Sequence, residues 1–149
     1  MKKNTQDVSQ QIDVLFTKIM QLAENKQEVL LCKCEPDAGL TNTQEHILML
    51  LLHEKLTNAK LAERLNISPA AVTKALKKLQ QLQLTHSEKS TSDERIVLWR
   101  LSQTGLPIAQ EHAHHHQATL ETYASIADAF SENEQQIIAR FLEKLEKEF

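Results

Sequence analysis

The sequence predicts a mainly α-helical protein with one small β-hairpin, on three observations. Apolar residues recur at helical spacing through most of its 149 residues. Glycine and proline are scarce, at 2 and 3, so long loops and tight turns are few. One β-rich run, Ile96-Val97-Leu98-Trp99-Arg100-Leu101, interrupts the helices. The length fits a single domain, 1–149, with a real core, and the 41% hydrophobic content is ordinary for a globular protein.

Six helices follow in order. Val8, Ile12, Leu15, Phe16, Ile19, Leu22 and Ala23 give the first, running to about Leu31. The segment Cys34-Glu35-Pro36-Asp37-Ala38-Gly39 breaks it. Thr41 and Gln44 have capping-box spacing, which starts a second, nearly all-apolar helix through Ile47 to Leu52. Thr57 caps a short third helix carrying Leu61, Ala62 and Leu65. Ser68 caps the fourth, and Pro69 takes its first position, where a missing N–H costs nothing. Val72, Leu76 and Leu79 form its packing face. The polar stretch Ser87 to Glu94 and the β-rich run after it read as a hairpin. A long helix runs from about Thr104 to Ala127, and a Ser131–Glu134 capping box opens the last, with Ile137, Ile138, Phe141, Leu142 and Leu145 on one face.

Charge and cysteine content narrow the functions. The net charge of −3 supplies no general attraction to nucleic acid, so any DNA contact must come from a local basic patch. No stretch approaches the ~18 apolar residues of a membrane span. Met1-Lys2-Lys3-Asn4 leads into a polar segment without a signal-peptide core, so a cytoplasmic protein with no membrane partner is expected. Cys32 and Cys34 are too few and too close for a disulfide framework.

Residues 41–101 carry a local basic patch. Leu61 to Ser68 joins two short helices through a turn of three or four residues, which is helix-turn-helix geometry, and the hairpin after it forms a wing. From Ser68 to Gln83 there is no acidic residue, while Lys74, Lys77 and Lys78 are present. Ser68, Ala70, Ala71 and Thr73 are small and allow close approach to base edges; Thr73 suits a thymine methyl or a phosphate. In the wing, Lys89 and Arg95 can reach phosphates or a narrow minor groove, with Asp93 placed to orient the Arg95 guanidinium. The bland reading is a helical hairpin with a solvated lysine face. The wing and the capped, acid-free helix favour double-stranded DNA.

The segment Glu111-His112-Ala113-His114-His115-His116 holds four of the seven histidines. His112 and His116 are i and i+4 on a helix, so two imidazoles share one face and can grip one metal ion. His46 at the start of the second helix and one carboxylate complete a four-ligand zinc set. Glu28 sits late in the first helix, and Cys34, Glu45 and Glu111 suit a second, more open site. The bland readings are a solvated histidine face, a satisfied core histidine at His46 and a buried thiol at Cys32. His53, His86 and His115 read as surface residues.

The motif Leu40-Thr41-Asn42-Thr43-Gln44-Glu45-His46-Ile47-Leu48-Met49-Leu50 and the run Glu111-His112 through His116 resemble the zinc-responsive branch of the MarR family. Ala70-Ala71-Val72-Thr73-Lys74-Ala75 and Asp93-Glu94-Arg95 resemble the wider family. The resemblance implies a winged helix-turn-helix homodimer of six helices. Its dimerisation helices would be 5–32 and 104–149, and its DNA-binding region 41–101. It implies primary zinc ligands Glu28, His46, His112 and His116, and secondary ligands Cys34, Glu45 and Glu111. It further implies Zn²⁺ as co-repressor, operator DNA upstream of zinc-uptake genes as partner, and no organic cofactor. Two other classes stay open: a repressor released by an organic ligand or by thiol oxidation, and a metal-dependent hydrolase. The hydrolase lacks HExxH spacing, and four protein ligands leave no open position for substrate.

Overall fold

The computed structural model describes residues 2–24 and 39–149. Its elements are α1 (Lys2–Glu24), α2 (Asn42–Leu51), α3 (Asn58–Leu65), α4 (Pro69–Gln81), β1 (Thr85–Lys89), β2 (Val97–Leu101), α5 (Gly105–Ala127) and α6 (Glu132–Glu146). The described residues therefore form six helices and one antiparallel hairpin, as the sequence predicts. Glu28, Cys32, Cys34 and the expected end of the first helix near Leu31 lie outside the described residues.

The caps form where the sequence places them. Thr41 and Ser131 each make a full capping box, with Gln44 and Glu134 returning to the cap backbone. Thr57 and Ser68 each accept one amide of the first turn, from Lys60 and Ala71. Such a cap is worth about 1 kcal/mol. The acceptor role holds the Glu134 carboxyl below its ordinary range, through the Ser131 backbone N–H first and its hydroxyl second.

Between α3 and α4 the chain turns over Asn66, Ile67 and Ser68, with Asn66 in the left-handed region at φ 52°. Asparagine tolerates this better than most L residues, so the helix ends sharply. The hairpin pairs Thr85 with Leu101 and Lys89 with Val97. Trp99 also exchanges both backbone hydrogen bonds with Leu56, at 2.8 and 3.2 Å, adding one rung of a third strand that the sequence reading did not anticipate.

The core lies in this winged unit and against the start of α5. Ile47, Leu48, Leu61, Val72, Leu76 and Leu79 are fully buried, and Leu51, Leu56, Leu84 and Ala109 close around them. α2 touches α3, α4, β2 and α5, so it links the winged unit to the long helix. α5 leaves the hairpin at Gly105, whose position admits no side chain: an added Cβ would sit 2.1 Å from the Leu84 carbonyl oxygen. Ser102 and Thr104 anchor the same corner by donating to the Gln83 carbonyl at 2.7 and 2.6 Å.

Candidate functional site

Three imidazoles meet where α2 crosses α5. His46 is on the first turn of α2, and His112 and His116 are one turn apart on α5. Ring centroids are 4.8 Å apart for His46–His112, 5.6 Å for His46–His116 and 6.4 Å for His112–His116. Three imidazoles on one tetrahedral zinc, with Zn–N about 2.1 Å, have ring centres roughly 5 Å apart. The three separations lie within about 1.5 Å of that spacing. As the rings stand, no three His, Cys, Asp or Glu among the described residues already converge on one ion position.

One hydrogen bond and one close carboxylate orient two of the rings. His46 donates Nδ1–H to the Asn42 carbonyl at 2.9 Å, which leaves its Nε2 lone pair free. His112 is 3% exposed and turns Nδ1 to the Glu45 carboxylate at 3.3 Å. Its Nε2, and Nδ1 of His116, are buried without a hydrogen-bond partner. Unpaired buried polar atoms cost stability, and a cation would satisfy both. Burial holds the His116 imidazole below its ordinary range, and the neighbouring His46 and His112 push it the same way. A neutral imidazole is the form that ligates metal. The residues present therefore fit zinc.

The remaining residues sort by position. Glu45 is buried against His112, and Glu111 is exposed on α5 with Oε1 3.8 Å from His115 Nε2. Glu28 and Cys34 fall outside the described residues. Of the histidines read as surface residues, only His53 is exposed; His86 and His115 are half-buried. The role of Asn42 in holding His46 was legible only as an i, i+4 backbone relation, which the sequence reading did not use.

A second surface lies on α4 and the wing. Ser68, Ala70, Ala71, Thr73, Lys74, Lys77 and Lys78 are all exposed, as are Lys89 and Arg95. Nine Lys and Arg residues lie between 41 and 101. Lys55, Lys60, Arg64 and Arg100 are paired with Glu88, Glu63, Glu54 and Glu88 respectively. The other five, Lys74, Lys77, Lys78, Lys89 and Arg95, make no ion pair among the described residues. The cations without internal acids are thus the ones on the acid-free helix and wing. Asp93 does not hold the Arg95 guanidinium; its Oδ1 accepts the Arg95 backbone N–H at 3.0 Å and shapes the wing turn instead.

The MarR family model matches residues 40–97. Transcriptional regulator ZitR of Lactococcus lactis is 54% identical over 142 residues, covering 95% of this chain and 98% of that protein. The chain belongs to the MarR family. Transcriptional regulator AdcR of Streptococcus pneumoniae is 45% identical, covering 93% of this chain and 94% of its own. Among solved structures, wild-type L. lactis ZitR in complex with DNA superposes with a TM-score of 0.81 at 56% identity, covering 95% and 97% of the two chains. A crystal structure of ZitR described as a zinc-responsive MarR family member gives 0.77 at 54%, covering 95% and 99%.

Within the MarR frame the two surfaces have different standing. The family model spans α2 to the start of β2, which includes the lysine face, the wing and His46. It stops before α5, so His112 and His116 lie beyond it. The imidazole junction is therefore an addition to the common reading unit, built where α2 meets a helix outside the match.

Proposed function

We propose that this chain is a zinc-dependent transcriptional repressor that binds operator DNA as a homodimer when zinc-loaded and controls zinc-uptake genes. The observation that carries this reading is the meeting of His46 with His112 and His116 behind the DNA-facing helix. His46, His112 and His116 would hold the ion, with Glu28 as fourth ligand, and Cys34, Glu45 and Glu111 a weaker second site. Zinc supplies a cationic crosslink among ligands from different elements. The Glu45 carboxylate lies 3.3 Å from His112 Nδ1, on the side of the ring opposite Nε2. The Asn42 carbonyl stands in the same relation to His46 Nδ1, at 2.9 Å.

The control follows from what α2 touches. It packs on α3, α4 and β2, and its first turn carries His46. Fixing α2 to α5 fixes the reading unit to the long helix. In a symmetric dimer this selects the spacing of the two α4 helices, which must match successive major grooves. The dimer itself is supported by unpartnered apolar faces: Val14, Leu15 and Met20 on α1, and Ile137, Phe141 and Leu142 on α6 are all exposed. Lys74, Lys77, Lys78, Lys89 and Arg95 would meet phosphates, and the small residues Ser68, Ala70 and Ala71 admit close approach. Relatives that are transcriptional regulators support a regulator over an enzyme.

The test is operator affinity at buffered free zinc, for the natural chain and for a His112→Ala, His116→Ala variant. Zinc is expected to tighten binding of the natural chain by at least the roughly 5–150-fold of ordinary allosteric coupling. The variant should keep its helices and weak DNA binding but lose the response. Equal affinity in chelator and in saturating zinc would overturn the proposal.

A further inference from the structure

Thr73 stands on the exposed face of α4, one turn into the helix that faces DNA. Its hydroxyl donates to the Pro69 carbonyl at 3.0 Å and accepts the Asn58 side-chain amide at 2.7 Å. The first bond is common for a helical threonine. The second is not local: it comes from the start of α3, 15 residues earlier in the chain. Asn58 Oδ1 is buried and makes no hydrogen bond. Turning this amide over would let the hydroxyl donate to Oδ1 instead. Either way its single proton is spent inside the protein.

A hydroxyl without a free proton cannot donate to a phosphate oxygen or to a base acceptor. What the side chain can still offer DNA is one acceptor lone pair, which suits the amino group of adenine or cytosine, and the γ-methyl. In the major groove one base edge offers an apolar partner, the C5-methyl of thymine. We infer that Thr73 reads a thymine methyl, and that Asn58 is the positioning residue that holds the side chain in that orientation. This rests on the DNA-binding reading above and adds to it the base recognised and the residue that sets the recognition.

The experiment separates the two. Duplexes selected from a random pool by the zinc-loaded protein supply the probe, and each thymidine is then replaced singly by deoxyuridine, which lacks only the methyl. At one thymidine per half-site the replacement is expected to weaken binding about fourfold, the worth of one buried methyl. Thr73→Ser, which keeps the hydroxyl and loses the methyl, should bind both duplexes equally. Thr73→Val, which keeps the methyl and loses the hydroxyl, should retain the discrimination. Asn58→Ala should reduce it, and an unchanged ratio there would remove Asn58 from the proposal. If no thymidine is sensitive, or if the same sensitivity persists in Thr73→Ser, the methyl reading is overturned while DNA binding stands. If zinc-loaded protein selects no duplex at all, both fall.

Discussion

The winged unit and the helical arms bury their apolar residues differently. Between residues 41 and 101 the side chains close on one another, and Ile47, Leu48, Leu61, Val72, Leu76 and Leu79 are removed from water. In the arms the same residue types face outward. Val14 is 66% exposed on α1, Ile137 57% and Leu142 55% on α6, and α6 has no buried residue. Phe16 and Phe149 touch, at 5.3 Å between ring centroids, which joins α1 to the chain's last residue. The winged unit closes its apolar residues within one chain, whereas the described arms leave theirs exposed. The imidazole junction lies at the boundary, with His46 on the winged unit and His112 and His116 on the helix leading to the arms.

The largest effect should come from the arms. Burying a Leu or Ile side chain is worth about 1.5–3 kcal/mol. In a symmetric dimer each contact counts twice. Ile137→Asp with Leu142→Asp should convert a dimer to monomer at micromolar concentration, as read by sedimentation equilibrium, with helix content retained because neither residue serves the core. A variant that stays dimeric would place the partner face elsewhere.

The winged unit breaks in another way. At Gly105 an added methyl meets backbone, the Leu84 carbonyl at 2.1 Å, and neither neighbour can rotate aside. Gly105→Ala should lower stability by about 1–3 kcal/mol, the usual cost of overpacking. Urea unfolding reads this directly. An unchanged midpoint would mean that α5 can shift off the hairpin, and the junction between the two regions would then be looser than its hydrogen bonds imply.

Legibility in the sequence follows the same division. Periodicity marks the helices, and caps mark the starts of α2, α3, α4 and α6, because Thr41, Thr57, Ser68 and Ser131 act within one turn of their own position. The His112–His116 pair is legible because four residues separate neighbours on a helix face. What joins distant elements was not legible from local rules. The Leu56–Trp99 rung, the Asn58–Thr73 bond and the turn of His112 toward Glu45 each span fifteen residues or more. His46 reads as a candidate ligand because it can complete a four-ligand set with His112 and His116, and the family resemblance then points to the same residue. Burial alone favours a satisfied core residue there.

On the DNA side, each unpaired cation offers a smaller effect. Every phosphate contact removed should lower the slope of log affinity against log salt by about one unit. A Lys74→Ala, Lys77→Ala, Arg95→Ala variant should lose affinity for all sequences alike. Lys60→Ala is the control, since Lys60 is paired with Glu63, a carboxyl that this lysine holds below its ordinary range. If the control alters the slope as much as the triple variant, the basic face extends beyond α4 and the wing.

The smallest effect is a proton effect at the junction. His116 has its affinity for a proton lowered in the folded state, by burial first and by His46 and His112 next. An unfolded imidazole takes up its proton near pH ~6.5. Above that pH both states are neutral and His116 contributes no pH dependence. As pH falls through that value the unfolded chain gains a proton that the folded chain resists, so stability declines until the lower folded value is passed. Zinc on the same imidazole would exclude the proton more firmly and steepen the decline. Urea midpoints in chelator should therefore fall from pH 7 to pH 5 more in the natural chain than in His116→Gln, and the gap should widen in zinc. A difference that ignores zinc would leave His116 buried but outside the metal site, and the comparison would reduce to a packed unit beside its arms with no metal joining them.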